Sequence, residues 1–246
     1  RTQEALRGYR ADEAEFVMYF PEAHILPAAA AKTPGSPVKL GCQGLYRADT
    51  APGGNFVAFT ANRTGHAMAQ LGCESVLIGH CEERADKLGL LTAAGAESGQ
   101  AAAAVNRVLN EEIRAAQAAG LAVLYCIGEK SEEQEHWQQV LGAQLRDGLA
   151  GVDKSRVVVA YEPIWGIGPG KTPADRPYIE KVARFVKQCT GGLDVVCGGG
   201  LKADNAAMLA SIPEISGGLI ALTRFSGEIG FYPEEYLDII HTYLGK

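Results

Sequence analysis

Seven short apolar runs, each leading into a loop or a stretch with helical character, leave few folds open to this chain. They are Glu15 to Phe20, Val38 to Cys42, Ser75 to Gly79, Ala122 to Ile127, Arg156 to Tyr161, Asp194 to Cys197 and Gly218 to Leu222. Each is near-continuously apolar rather than alternating, which suits parallel strands covered on both faces. Their Val and Ile content favours strand over helix. Gln100 to Ala119 places Val105, Val108, Leu109 and Ile113 near helical spacing, and Gly120 ends it. Glu132 to Leu149, Pro177 to Gln188, Ala203 to Ala210 and Pro233 to Leu244 read the same way. Strand, loop and helix in repetition build βα units on a parallel sheet, and right-handed crossovers close such units into a barrel. At 246 residues the chain has the length of one closed (β/α)8 barrel, and residues 1–246 read as a single domain without repeat or linker. Only seven strands are found, and Thr2 to Leu6 looks helical. A seven-strand barrel would leave two unpaired edges, so the expectation is an α/β barrel whose first strand lies upstream of Arg1.

Composition then excludes several functions. The net charge is −6 and no basic cluster occurs, which argues against a nucleic-acid partner. A small anion remains open, because backbone amides at helix N-termini bind phosphate even on an acidic protein. The six cysteines form no CxxC pair and several sit in apolar runs, so they read as buried, reduced thiols of a cytoplasmic protein. The five histidines show no ligand spacing, so no metal site is expected. No apolar run approaches the roughly 20 residues that span a bilayer, and no signal peptide is visible, so no membrane partner is expected.

Three segments carry chemistry. In Ala160 to Thr172 (AYEPIWGIGPGKT) a strand ends at Tyr161 and leaves Glu162 at its carboxyl end, where barrel enzymes keep their catalytic groups. Pro163 fixes the backbone after it, Trp165 is a bulky pivot, and Gly166, Gly168 and Gly170 free the loop tip. This reads as a carboxylate at the root of a mobile lid; closing the lid removes water and strengthens the carboxylate as a base towards a carbon acid. Gly168 to Lys171 lacks the spacing of a nucleotide-binding P-loop. In Ile78 to Arg84 (IGHCEER) His80 also ends a strand; a helix starting at Cys81 would turn its N–H groups and dipole towards the imidazole and favour the neutral ring. In Val196 to Leu201 (VCGGGL) three glycines between strand and helix let backbone amides approach a phosphate.

Together these segments resemble the triosephosphate isomerase family, over nearly everything from Phe16 to the C-terminus. AYEPIWGIGPGKT resembles the family's catalytic-base and lid motif. IGHCEER resembles the segment with its electrophilic histidine and a following catalytic-site Glu, here Glu82. CIGE at Cys126 to Glu129 resembles the end of its fifth strand, and CGGGLKADNAAML its phosphate loop and following helix. The resemblance implies a TIM (β/α)8 barrel and an aldose–ketose isomerase of glycolysis and gluconeogenesis, needing no cofactor and acting on a small phosphorylated sugar. It implies Glu162, His80 and Glu82 as catalytic residues, with the phosphate against the amides of Gly168 and Gly200.

Several positions depart from the family pattern. The family's catalytic Asn and Lys on the first strand have no counterpart here. Leu222 and Thr223 stand where it has a Gly-Gly pair for the phosphate, and Arg224 follows them. Cys197-Gly198-Gly199-Gly200 replaces Tyr-Gly-Gly-Ser, Cys81 replaces Ser, and Glu83 replaces Arg, reversing a charge beside the site. The loop from Arg47 to Arg63, which the family inserts into a partner subunit, keeps Gly44, Phe59 and Thr60 near it; a homodimer with an altered interface is expected. The leading activity is interconversion of dihydroxyacetone phosphate and glyceraldehyde 3-phosphate. The altered strand-eight loop leaves isomerisation of another short ketose phosphate, such as a tetrulose phosphate, as the alternative. The missing first-strand residues leave a non-catalytic phosphate-binding barrel.

Overall fold

A computed structural model describes every residue except Arg1, Pro52, Asn55, Pro169, Phe225 and Lys246. The upstream-strand expectation at Arg1, two positions of the 47–63 loop, one of the lid and one after Arg224 therefore lie outside the described residues. The seven strands are β1 (Phe16–Phe20), β2 (Val38–Cys42), β3 (Ser75–Ile78), β4 (Ala122–Ile127), β5 (Val157–Tyr161), β6 (Val195–Cys197) and β7 (Gly217–Gly218). The α-helices among the described residues are α1 (Thr2–Leu6), α2 (Glu22–Ala31), α3 (Gly65–Gln70), α4 (Cys81–Ala93), α5 (Ser98–Ala118), α6 (Trp137–Gly148), α7 (Arg176–Thr190), α8 (Ala206–Ala210) and α9 (Pro233–Leu244). The chain resolves into two compact units. One comprises Leu6–Tyr125 and Arg146–Val157; the other comprises Arg1–Ala5, Cys126–Leu145 and Val158–Lys246.

In the first unit β1, β2, β3 and β4 pair in sequence order, all parallel, with registers such as Phe16 on Val38, Cys42 on Val76 and Ile78 on Tyr125. Val76, Ile78, Leu109, Ile113 and Tyr125 are buried among them. Helix α5 buries Ala101, Val105, Asn106, Leu109, Glu112, Ile113 and Ala116, a stripe at helical spacing. Two of these, Asn106 and Glu112, are polar, and a buried polar group needs a partner.

In the second unit β5, β6 and β7 are parallel, with Tyr161 on Cys197 and Cys197 on Gly218. Helix α7 begins where the Asp175 side chain accepts the Tyr178 N–H at 2.9 Å, carries Pro177 in its first turn, and stops at Gly191 in the left-handed region. The first six strands lie within a residue of the sequence expectation. The seventh is a correction: β7 is Gly217–Gly218, not Gly218 to Leu222. Past Gly218 the ladder ends: Leu219 N–H still donates to Cys197 O, the last residue of β6, but Leu219 O accepts from Leu201 N–H in the loop beyond that strand. Two helices are also corrected: Ser131–His136 is 3-10 before α6 begins, and α8 starts at Ala206. Cys42, Cys73, Cys126 and Cys197 are buried as expected; Cys81 is half-buried and Cys189 exposed.

Candidate active site

In the second unit Glu162 follows the last residue of β5, and the residue is only 2% exposed. Its N–H donates to Ile127 O at 2.8 Å, and Gly198 N–H donates to Tyr161 O at 2.7 Å, so the backbone around it is fixed from both sides. Glycine is required at both flanks. A Cβ at Gly198 would lie 2.7 Å from Glu162 Cγ, and one at Gly128 would run into the Glu162 carbonyl. A side chain at either position would collide with Glu162 where the strand now places it.

The lid root follows at once. Ile164–Gly166 makes a 3-10 turn closed by Gly166 N–H on Pro163 O, and Gly168 and Gly170 have φ of +113° and +73°. Glu129, legible in the sequence only as the end of the CIGE segment, anchors this turn. It is wholly buried, and its Oε1 accepts from Tyr161 Oη at 2.8 Å, Trp165 Nε1 at 2.8 Å and Tyr178 Oη at 3.0 Å. Burial, followed by the Glu129 charge, raises both tyrosines well above their ordinary value, so they remain donors. Trp165 packs edge-on to Tyr178 at 5.2 Å. Thus the strand before the lid, the lid pivot and α7 meet on one carboxylate oxygen.

A cavity of about 220 Å³ lies between the lid root and the glycine loop, lined by Pro163, Gly166, Ala174, Gly199, Gly200 and Lys202 among others. Gly200 has φ of +99°, and its carbonyl accepts from Asn205 Nδ2 at 2.9 Å, which fixes the turn. Thr223 is placed differently from Gly200. Its N–H donates to Gly230 O at 3.1 Å and its hydroxyl accepts the Tyr232 N–H at 2.9 Å, so both groups hold a hairpin together. Leu222, just before it, is half-buried. Arg224 pairs with Glu235 at 2.6 Å and lies 3.8 Å above the Tyr232 ring, which makes it part of the same hairpin.

In the first unit His80 is the N-cap of α4, and its Nδ1 accepts the Glu82 N–H at 3.4 Å. An imidazole accepting at Nδ1 carries its proton on Nε2, which leaves that N–H as a donor. Cys81 Sγ lies 3.9 Å from Nδ1. The Glu82 carboxylate is 89% exposed and stands 3.8 Å from Nδ1, so it touches the ring from solvent. The structure thus groups Glu162, Gly168, Gly200, Leu222 and Thr223 in one unit, and His80 with Glu82 in the other.

Comparison with known proteins gives a consistent result. The family model described as "Triosephosphate isomerase" matches residues 2–241. The triosephosphate isomerase of Rhodopirellula baltica is 31% identical over 218 residues, covering 83% of this chain and 77% of its own. That of Halorhodospira halophila is 32% identical over 233 residues, covering 89% and 82%. The crystal structure of triosephosphate isomerase from Bartonella henselae superposes with a TM-score of 0.73 at 22% identity, covering 98% of this chain and 90% of that one. That likeness shows the fold, a TIM (β/α)8 barrel.

Proposed function

The chain belongs to the triosephosphate isomerase family, and on that premise we propose which of its residues carry the reaction. The enzyme is an intramolecular oxidoreductase that interconverts dihydroxyacetone phosphate and glyceraldehyde 3-phosphate. Isomerisation of another short ketose phosphate, such as a tetrulose phosphate, and a non-catalytic phosphate-binding barrel are not favoured, since the relatives above are triosephosphate isomerases. Glu162 removes a proton from the carbon beside the carbonyl. His80 Nε2–H gives its proton to the carbonyl oxygen and recovers one from the neighbouring hydroxyl, passing through an enediol(ate). Glu162 then delivers its proton to the adjacent carbon, so every proton is returned. This family is itself a known instance of a neutral imidazole in that role. The observation that carries the assignment is Glu162, 2% exposed between two obligatory glycines at the root of a lid. A carboxylate so shielded gains basicity when the lid excludes water.

Gly168 and Gly200 supply the phosphate amides, and Leu222 forms the wall beside them. Thr223, engaged with Gly230 and Tyr232, shapes that wall through the hairpin. Glu82 acts through the His80 ring rather than on substrate. Residues 1–246 act as one barrel domain. The test is conversion of glyceraldehyde 3-phosphate in deuterated water. Product carrying solvent deuterium at the exchanged carbon is expected; a folded protein without turnover overturns the reading.

A homodimer is part of the same proposal. Phe56 and Val57, 77% and 57% exposed on the 47–63 loop, give that loop an apolar surface to bury. Sedimentation at micromolar concentration should give twice the mass of 26.0 kDa, and a monomer would remove the dimer. A cytoplasmic location rests on the six cysteines, none of them in a disulfide among the described residues. Among the described residues no helix is long and apolar enough to cross a membrane.

A further inference from the structure

Gly79 lies between the end of β3 and the start of α4, so side chains rather than a ladder hold it. Its φ is +85°, in the region that favours glycine, and His80 follows directly. Two consecutive side chains of α4 clamp it. Glu83 Oε2 accepts the Gly79 N–H at 2.6 Å, and Arg84 Nε donates to Gly79 O at 2.8 Å. Arg84 is itself fixed, donating to Asn106 Oδ1 and to Tyr125 Oη, both at 2.9 Å. The other oxygen of Glu83 takes Lys87 Nζ at 2.7 Å, and Lys87 also reaches Glu112 Oε1 at 3.1 Å. The Glu112 side chain is 4% exposed, and its Oε2 is buried without a hydrogen-bond partner among the described residues.

A buried carboxyl, a half-buried one and a single ammonium do not all ionise cheaply. Burial, then the Glu83 charge, pushes the Glu112 carboxyl up to about 8. Glu83 is held below its ordinary value although burial opposes it, chiefly because the Lys87 ammonium hydrogen-bonds to it. Near neutral pH the cluster therefore holds an anionic Glu83, a cationic Lys87 and a protonated Glu112. Glu83 and Lys87 are the charges that reach Glu112 from α4. Arg84 and the Tyr125 hydroxyl of β4 belong to the other half of the clamp. The β3 strand brings no titratable group, and His66 of α3 is paired with Asp49.

We propose that Glu83, Lys87 and Glu112 form a proton-dependent positioning device for His80. While Glu112 keeps its proton, Glu83 holds the Gly79 N–H and with it the imidazole. When that proton leaves, a second anion competes for Lys87 and repels Glu83, and the clamp loosens. The catalytic consequence rests on the reading of His80 as the proton donor. Linkage fixes the sign. A carboxyl raised in the folded state contributes stability that is full below its ordinary range and is lost as pH rises through about 8.

The test measures kcat, KM and the Gly79 amide shift of the intact protein between about pH 6 and about pH 10. In the wild-type chain kcat should fall above about pH 8 with KM unchanged, and the Gly79 amide should move over the same range. Glu112→Gln keeps the side chain's shape and cannot ionise at any pH, so both changes should vanish. Glu83→Gln should lower kcat about tenfold or more at all pH values, because a small misplacement of the imidazole is costly. A limb near pH 8 that persists in Glu112→Gln overturns the proposal, as does a Gly79 amide insensitive to pH in the wild-type chain. The amide reads the clamp without any variant having to fold. Full activity in His80→Gln would instead remove the role of His80, and the amide would still report whether the clamp exists.

Discussion

Replacing Glu162 by glutamine is expected to lower kcat about a thousandfold, the middle of the range for losing a positioned general base. That is about 4 kcal/mol of transition-state stabilisation. The effect should fall on kcat, with KM little changed, because glutamine keeps the shape of the side chain and loses only its basicity. The fold should persist. The bonds that place the residue run through main-chain atoms, from Glu162 N–H to Ile127 O and from Gly198 N–H to Tyr161 O, and the substitution leaves both in place. Steady-state kinetics with a circular-dichroism control decides it. Near-normal turnover in a folded variant would take Glu162 out of the mechanism.

His80→Gln comes second, with an expected loss of about a hundredfold in kcat, the low end of what a positioned acid–base group contributes. Glutamine still offers an N–H to the carbonyl oxygen but cannot give up a proton and recover it, which is why the loss is smaller than for the base. The substitution also removes the ring whose Nδ1 accepts the Glu82 N–H, and a lost cap typically costs about 1 kcal/mol. A modest drop in thermal midpoint should therefore accompany the kinetic loss. An unchanged rate would make His80 a packing residue.

The pH dependence expected of the Glu83–Lys87–Glu112 cluster separates from both substitutions. It appears in the wild-type chain and is abolished by a change at Glu112, a residue of α5 that the proposed chemistry does not use. The pair Glu83 and Lys87 sits four residues apart on one helix and is legible as a sequence pattern. Their link to Glu112 is not, because it crosses from α4 to α5, and nothing local marks a Glu on a helix as buried. The same reason hid Glu129. The Tyr161, Trp165 and Tyr178 donors that meet its Oε1 stand 32, 36 and 49 residues away along the chain.

By itself the sequence determined the strands and the places where chemistry can stand. A strand covered on both faces must be apolar without alternation, so β1 to β6 announce themselves, and Glu162 and His80 follow as the polar residues at two strand ends. Helix ends were equally local, since Asp175, Pro177 and Gly191 act within a turn of their own positions. Only the tertiary structure decided what depends on approach between distant segments. It set the glycines at 128 and 198 against Glu162, the hydroxyls on Glu129 and the carboxyl of Glu112 beside Glu83. It also ended β7 at Gly218, past which Leu219 O accepts from Leu201 N–H in the loop beyond β6, a choice that apolar character along a single run does not encode. Apolar pattern is a property of a segment, whereas the partner of a hydrogen bond is a property of the fold.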